Sequence, residues 1–230
     1  GMVNSKGIQI TGQYFFYLNF VQIIAKVKSK DGQLRKSKTF PRFLDVDYEY
    51  FWIIDYAKKN QKNVILVKPR RLGFSYKAAC VATHEYTFFK DSKSIISAFL
   101  SRFAENTMSM ILENLNFLDT YTEFRQQRNP DTRDLVVARY KVKVGGVDVW
   151  KGRKSEIKQI TFKDNPFASV GASANWFIMD EAGVFPNIIQ SYNMSEPVIK
   201  DGSDYTGTAL IFGSAGSMEE GTQYFYEMFT

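Results

Sequence analysis

The stretch VILVKPRRLGFSYKAA (64–79) decides the fold. An apolar run at 64–68 is typical of a buried strand, a polar loop follows at 69–74, and a helical pattern begins at Ser75. Phosphate-binding loops have this order, because the anion needs backbone N–H groups in a turn and a helix N-terminus behind them. Gly73 and Ser75 match the end of the pattern GxxxxGK followed by Ser or Thr, whereas Lys68 replaces its first glycine and Phe74 its lysine. The pattern alone leaves a structural turn as an alternative to a nucleotide site.

Two later strands end in residues that suit the same site. The stretch WFIMDEA (176–182) is an apolar strand that ends in Asp180 and Glu181. In phosphate-loop ATPases the first such carboxylate holds Mg²⁺ and the next polarises the attacking water. The stretch ALIFGSAGS (209–217) opens into small residues that suit a loop close to a γ-phosphate. Open parallel sheets bind ligands at the carboxyl ends of their strands, so the three segments predict one site. Taken singly, each of the two later segments is also compatible with an ordinary turn.

Strands alternate with helices along the chain, which predicts an α/β fold with a mainly parallel sheet flanked by helices on both faces. Residues 8–28 are expected to be extended and Asp31-Gly32 to form a hairpin turn, so residues 3–40 are a predicted N-terminal β arm. The basic stretch 121–156, with Gly145-Gly146 inside it, is a predicted β excursion. Predicted strands cover 64–68, 94–99, 157–162, 176–181 and 208–214, and predicted helices cover 45–60, 75–89, 102–118, 186–195 and 219–229.

Composition excludes several classes of protein. Of the 230 residues, 44% are hydrophobic and 16% aromatic, which supplies a core and excludes an intrinsically disordered chain. Cys80 and His84 are the only residues of their types, which excludes a disulfide framework and metal sites built on several cysteines or two imidazoles. No apolar run approaches the roughly 20 residues of a membrane span, and nothing at the start resembles a secretory signal. Gly1-Met2 is typical of a scar left by tag removal, which predicts a piece of a longer protein.

Basic charge is concentrated in two segments. The formal net charge is +6 at pH 7. Residues 26–38 carry six basic side chains against Asp31, and residues 125–154 carry nine against three aspartates. Such clusters form an electrostatic surface for a polyanion, with two solvated hairpins as the alternative.

Taken together, these motifs resemble the N-terminal ATPase domain of a tailed-bacteriophage terminase large subunit, the motor that pumps DNA into the procapsid. Some members of that family place a lysine at the start of the phosphate loop and an aromatic residue after its glycine, and KPRRLGFSYK (68–77) is similar to that variant. WFIMDEA resembles the family's Walker B motif, and GSAG (213–216) resembles its coupling motif. YFFYLNFVQI (14–23) and PRFLDVDYEYF (41–51) resemble the portion that leads to the adenine pocket. The resemblance implies a P-loop NTPase of the ASCE or RecA-like type over residues 41–230.

The resemblance also implies that the chain hydrolyses ATP with Mg²⁺. Ser75 and Asp180 would hold Mg²⁺, and Glu181 would orient the attacking water. Because Phe74 cannot replace an ammonium group, Lys68 is the first candidate for the cation at the phosphates and Arg70 is the second. Glu181, Lys68 and Arg70 are therefore the predicted catalytic residues. The predicted nucleotide contacts are Lys68, Pro69, Arg70, Arg71, Leu72, Gly73, Phe74, Ser75, Tyr76, Asp180, Gly213 and Ser214.

The resemblance also bears on two further residues, Lys77 in the helix after the loop and Asp47 before it. Lys77 lies in the first turn of the helix and is expected to point away from the phosphates. Asp47, or a neighbour of it, occupies the region where members of the family usually carry a glutamine for the adenine base.

The implied partners are double-stranded DNA, a portal protein, the small terminase subunit and further copies of the chain in a ring on the procapsid. A motor that accepts every sequence would hold DNA through its phosphates, here with Lys141, Lys143, Lys151, Arg153 and Lys154. Arg102 and the arginines of 125–139 are candidates for a finger donated to a neighbouring subunit. The chain would work in the cytoplasm of a host bacterium, without secretion or membrane contact. The C-terminal nuclease domain of such subunits is expected to be absent from these residues.

Three other functions stay open from the sequence. A helicase-like ATPase would use the same site, although it normally needs a second motor domain. A catalytically inactive module that binds DNA or a portal is favoured by Phe74 and opposed by the Asp180-Glu181 pair. A nucleotide kinase would need a lid, and the basic segment 121–154 is not an obvious one.

Overall fold

Among the described residues, the apolar run before the phosphate loop forms an edge strand of a six-stranded sheet. Only Val64 of this strand is buried, so the expectation of a buried strand is wrong here, because an edge strand has a neighbour on one side only. A computed structural model of the protein describes residues 2–3, 7–28, 32–70, 72–163, 165, 167–214 and 222–228. The described helices are α1 (Gly12–Phe20), α2 (Asp45–Lys59), α3 (Phe74–Phe88), α4 (Ser101–Tyr121), α5 (Ile188–Ser195) and α6 (Thr222–Glu227), with short 3₁₀ turns at Ala182–Val184 and Glu196–Ile199. The described strands are β1 (Met2–Val3), β2 (Gln9–Ile10), β3 (Ile23–Lys28), β4 (Leu34–Thr39), β5 (Val64–Val67), β6 (Lys93–Ala98), β7 (Leu135–Val137), β8 (Tyr140–Val144), β9 (Val147–Lys151), β10 (Glu156–Thr161), β11 (Trp176–Asp180), β12 (Lys200–Asp201), β13 (Asp204–Tyr205) and β14 (Thr208–Gly213).

The central sheet is mainly parallel, as the alternation of strands and helices predicts. Its order is β5-β14-β11-β6-β10-β7, in which β7 alone pairs antiparallel, with β10, at the far edge. Every residue of β11 is buried, because this strand lies between β14 and β6 and is covered on both faces. The predicted α/β fold is therefore confirmed.

Two hydrophobic cores lie on opposite faces of the sheet. Alternate residues of a strand point to opposite faces. Accordingly, Trp176 and Ile178 of β11 pack into the core that α1, α2, α3 and α4 form on one face. Phe177 and Met179 pack into the second core, to which α5 and α6 contribute Ile188 and Phe225.

The N-terminal segment differs from the predicted β arm. Residues 12–20 form the helix α1, and Thr11 caps it by accepting a hydrogen bond from the Tyr14 backbone N–H at 3.1 Å. The aromatic residues of this stretch favour a strand by propensity, but the tertiary structure buries Tyr14 and Tyr17 against α2 and Phe16 against α3. The extended assignment for residues 12–20 is therefore wrong, because packing overrides the β propensity of aromatic side chains.

The remaining β elements of the predicted arm and excursion form as separate hairpins. β3 pairs antiparallel with β4, as the hairpin prediction requires, although Asp31 of the predicted turn lies outside the described residues. In the basic excursion β8 pairs with β9 across Gly145-Gly146. Among the described helices none is long and apolar enough to cross a membrane.

The single thiol of the chain lies inside the first core. Cys80 is fully buried in α3 and contacts the Gln13 carbonyl oxygen of α1 at 3.6 Å. Burial raises the pKa of the Cys80 thiol well above its usual range. Cys80 therefore acts as a small apolar residue at the contact between two helices.

Candidate active site

The phosphate-loop segment connects β5 to α3 through a left-handed glycine. Gly73 has φ of +68° and ψ of +23°, and α3 begins at the next residue. Only glycine adopts this conformation without steric cost, so the position favours the residue that the motif supplies. The Lys77 backbone N–H donates to the Gly73 carbonyl at 3.2 Å and closes the first helical turn. The loop thus presents a helix N-terminus at the carboxyl end of β5.

Phe74, which stands where the usual lysine is expected, packs inward below the loop. Its ring is mostly buried and lies edge-on to Tyr50, with the ring centroids 5.5 Å apart. The Lys77 ammonium lies 4.1 Å from the centroid of the Phe74 ring and 2.6 Å from Asp47 Oδ1. Lys77 is 1% exposed, so it is directed into the core between α2 and α3. The aromatic residue therefore completes the core and leaves the phosphates to a different cation.

Lys68 supplies an ammonium group at the edge of the site. Its Nζ donates to Glu181 Oε1 at 2.8 Å, and the side chain is only 7% exposed. The Lys68 backbone N–H also donates to the Gly213 carbonyl at 2.9 Å, which fixes the start of the loop to β14. Lys68 thus joins the ends of β5, β11 and β14.

Glu181 is held in an uncommon backbone conformation between two partners. Its φ is +53° and its ψ is +48°, in the left-handed region that few residues other than glycine adopt. Lys68 contacts one carboxylate oxygen, and Ser214 Oγ donates to the other at 3.2 Å. Strained backbone of this kind persists where neighbouring contacts fix it, and it is frequent in active sites.

Asp180 has one carboxylate oxygen with two donors and one with none. Ser75 Oγ donates to Oδ2 at 3.0 Å, and Thr107 Oγ1 donates to the same atom at 2.7 Å. Oδ1 is buried and has no hydrogen-bond partner among the described residues. Burial raises the pKa of Asp180 to about 6, against hydrogen bonds from Thr107 and Ser75 that lower it. A strongly shifted pKa of a buried carboxyl is frequent at functional sites.

The residues present fit Mg²⁺. Mg²⁺ prefers oxygen ligands and is commonly held by one or two carboxylates together with substrate phosphates. Asp180 Oδ1 and Ser75 Oγ supply such oxygens next to the loop. The described residues contain no cluster of three or more Asp, Glu, His or Cys.

A cavity of about 620 Å³ opens beside the loop. The hairpin strand β3 forms one wall through Ile23, Ile24, Ala25 and Lys26, and Asp47 and Glu181 also line the cavity. The Ile24 backbone N–H donates to the Tyr76 hydroxyl at 3.3 Å, which ties the hairpin to α3. The volume lies within the range of small-molecule and cofactor sites. The N-terminal segment therefore completes the pocket.

The structure brings most of the predicted site residues together. Lys68, Ser75, Asp180, Glu181 and Ser214 are linked by hydrogen bonds, and the Lys68 backbone adds Gly213. Of the other predicted nucleotide contacts, Leu72, Gly73, Phe74 and Tyr76 line the cavity, whereas Pro69 and Arg70 are exposed and do not line it. Arg71 and the Ala215-Gly216 part of the GSAG motif lie outside the described residues.

Two side-chain contacts of the site were not predicted from the sequence. Thr107 of α4 contacts Asp180 across 73 positions of the chain, and Lys77 pairs with Asp47 across the α2–α3 contact. Neither pair belongs to a motif with fixed spacing. Only the helical periodicity of α4, which directs Thr107 inward with its buried neighbours Ala104 and Met108, hints at the first contact.

Three of the basic residues predicted to contact DNA lie on the β8–β9 hairpin, where they are divided between its two faces. The register pairs Lys141 with Trp150 and Lys143 with Asp148, so these four side chains share one face, whereas Lys151 pairs with Tyr140 on the other. The Arg139 guanidinium lies 4.3 Å from the centroid of the Trp150 ring, and the Lys141 ammonium lies 5.1 Å from it. Beyond the hairpin, Lys154 is exposed and Arg153 donates to the Phe88 carbonyl at 3.1 Å. Arg139, Lys141, Lys143 and Trp150 are called the cationic face below.

The fold is that of large terminase ATPase domains. No protein-family model matches the sequence, and no curated protein sequence matches it. The structure matches the large terminase ATPase domain of Thermus phage P74-26 with a TM-score of 0.55 and 20% identity, over 73% of this chain and 63% of that one. It matches the large terminase of bacteriophage HK97 with a TM-score of 0.57 and 11% identity, over 92% of this chain and 39% of that one. The chain thus spans less than two thirds of each of these proteins.

Proposed function

We propose that this chain is the ATP-hydrolysing motor domain of a phage terminase large subunit and drives double-stranded DNA into a procapsid. One observation carries the proposal: hydrogen bonds link Lys68 to Glu181 and Ser75 to Asp180 where β5 and β11 end. This set contains a cation, a hydroxyl and two carboxylates, which are the groups that phosphoryl transfer to water requires. The likeness of the fold to terminase ATPase domains adds support.

Each residue of the set has a separate task in this proposal. Asp180 and Ser75 hold Mg²⁺, which supplies neutralisation of phosphate charge when bound. The Gly73 turn and the start of α3 face the phosphates with backbone N–H groups. Lys68 contacts phosphate oxygens, and Glu181 orients the attacking water for in-line displacement. Phe74 takes no part in the chemistry, because its ring is packed in the core.

The partners in this proposal follow the same family pattern. DNA binds through its phosphates, with the cationic face of the excursion as the first contact. Further copies of the chain form a ring on the procapsid beside a portal protein and the small subunit, in the cytoplasm of the host. Arg102 or an arginine of 125–139 serves a neighbouring copy as a finger.

The test is Mg²⁺-dependent ATP hydrolysis by the chain alone, with duplex DNA and with single-stranded DNA. We expect Glu181→Gln and Lys68→Ala each to lower the turnover rate by about 100-fold or more, because each removes a group that acts on the reacting atoms. Lys62→Ala is the matched control, since Lys62 is exposed and lies before β5. We expect this variant to hydrolyse ATP at the wild-type rate.

The outcomes separate the competing functions. Stimulation by duplex rather than single-stranded DNA supports the packaging motor over a helicase-like ATPase. Nucleotide binding without turnover, restored when copies are assembled, points to a finger from a neighbour. Failure to bind nucleotide at all would leave a docking module as the better function, and wild-type turnover in Glu181→Gln would refute the assignment of that residue.

A further inference from the structure

Thr107 directs its hydroxyl away from its own helix. Threonines inside helices commonly bond the carbonyl four residues earlier. Thr83 and Thr87 of α3 do so, each at 2.7 Å. Thr107 of α4 instead donates across to Asp180 Oδ2 on β11, also at 2.7 Å, and its side chain is fully buried. Its hydroxyl therefore makes a contact between two elements rather than a local one.

The contact sets the orientation of the Asp180 carboxylate. Thr107 and Ser75 both donate to Oδ2, which leaves Oδ1 buried without a partner among the described residues. Ser75 approaches from the phosphate-loop unit, as the second residue of α3. Thr107 approaches from the second turn of a 21-residue helix that follows β6. The hydroxyl of Thr107 is thus the donor to Asp180 that comes from outside the phosphate-loop unit.

We propose that Thr107 is a positioning residue that holds the Asp180 carboxylate with Oδ1 turned toward Mg²⁺. The inference rests on the proposed function, because it concerns the metal that accompanies the nucleotide. Residues that hydrogen-bond a metal-binding carboxylate fix its orientation, and their loss typically weakens metal affinity or activity about 10- to 100-fold. Thr107 does not touch substrate, so its effect acts through Asp180.

The experiment measures how strongly Mg²⁺ tightens nucleotide binding. ADP is titrated by calorimetry in excess Mg²⁺ and in EDTA, and the ratio of the two dissociation constants is the Mg²⁺ coupling. We expect Thr107→Val to reduce that ratio by about 10-fold while ADP affinity in EDTA stays unchanged. Thr107→Ser keeps the hydroxyl, so we expect it to retain the wild-type ratio. Thr87→Val, which removes a buried hydroxyl that bonds only its own helix, is the matched control.

The same variants are also tested for folding, so that loss of structure is distinguished from loss of Mg²⁺ coupling. Melting curves identify any variant that does not fold, and Thr107→Ala then replaces Thr107→Val because it adds no apolar bulk. A Thr107→Val or Thr107→Ala variant with wild-type Mg²⁺ coupling would overturn the inference alone. A wild-type chain whose ADP affinity is the same in Mg²⁺ and in EDTA would overturn the proposed function and this inference with it.

Discussion

The buried carboxylate of Asp180 suits a cation in the proposed function, but its burial lowers the stability of the fold when it is ionised. Burial raises the pKa of Asp180 from 3.8 to about 6. The folded state therefore binds a proton more tightly than the unfolded state does, and between these two values stability falls as the pH rises. In the metal-free chain at neutral pH, the buried ionised carboxylate lowers the free energy of unfolding.

We predict that Asp180→Asn makes the metal-free chain more stable at pH 7.5 by about 2 kcal/mol, because a neutral amide is cheaper to bury. The amide oxygen still accepts from Ser75 and Thr107, so the local hydrogen bonds survive. The gain should shrink as the pH is lowered from 6 toward 4, where the wild-type carboxyl becomes protonated. Urea unfolding in EDTA at several pH values measures it.

Asp55→Asn provides the comparison for that measurement. Asp55 is partly exposed and pairs with Lys59 on the surface of α2, where its charge stays hydrated and contributes little to stability. We expect its amide variant to change stability by less than about 0.5 kcal/mol. Equal stability of Asp180→Asn and the wild type at pH 7.5 would show that the buried charge carries no cost.

At the residue scale, motif residues could be predicted and their partners could not. Ser75, Asp180 and Glu181 each lie at a junction between a regular element and a loop, and the order of their segments along the chain, rather than any one segment, indicates a common site. Lys68 could be nominated because Phe74 cannot replace an ammonium group and because the loop resembles a variant with a lysine at its start. Thr107 could not be nominated, since its contact depends on how α4 packs against β11.

At the element scale, Glu85 links three elements inside the first core. It is 2% exposed, accepts from Lys58 Nζ of α2 at 2.5 Å, and accepts from Trp176 Nε1 of β11 at 3.3 Å. Because the Trp176 indole is fully buried, its N–H depends on this carboxylate for a partner. The Glu85 side chain thus connects helix α3 to both α2 and the sheet.

We predict that Glu85→Ala lowers the free energy of unfolding by roughly 2–3 kcal/mol, since it leaves the buried indole N–H without an acceptor. Glu85→Gln keeps an acceptor oxygen and should cost less than half as much. Urea unfolding of both variants measures the difference. Equal losses would show that the charge of Glu85, rather than the hydrogen bond to Trp176, holds the elements together.

The elements of the sheet were more predictable than those of the N-terminal segment. Parallel strands of α/β sheets are continuous apolar runs, so the edge strand Val64–Val67 and the buried strand Trp176–Asp180 both stand out in the sequence. Helix α1 does not, because its aromatic residues are frequent in strands and its helical form depends on burial against α2 and α3. Aromatic segments of this kind are fixed by tertiary contacts that the sequence does not display.

At the scale of the whole molecule, we expect DNA binding to depend on where the positive charge lies more than on the net charge. The β8–β9 hairpin carries the cationic face and pairs with no other strand among the described residues. The cations of Arg139 and Lys141 lie over the partly buried Trp150 ring, and such cations attract a phosphate backbone. Binding of this kind releases counterions and weakens as salt rises.

We predict that the double variant Lys141→Ala/Lys143→Ala binds duplex DNA more weakly and with a shallower salt dependence. The slope of log affinity against log salt should fall by about 2, since each lost phosphate contact removes about 0.9. Fluorescence anisotropy with a labelled duplex of arbitrary sequence measures it. The control is Lys62→Ala/Lys90→Ala, which removes the same charge at exposed positions outside the excursion. A slope equal to that of the wild type would exclude the cationic face as the contact.

The burial of Cys80 makes this chain convenient for site-directed chemistry. Its only thiol is enclosed between α1 and α3, and burial disfavours its ionisation, so no accessible thiolate can attack a thiol-specific alkylating reagent while the fold is intact. A cysteine introduced on the surface can therefore carry a fluorophore without removing the native one. When the α1–α3 contact opens, the native thiol becomes reactive, and its labelling rate reports how often the N-terminal helix separates from the core.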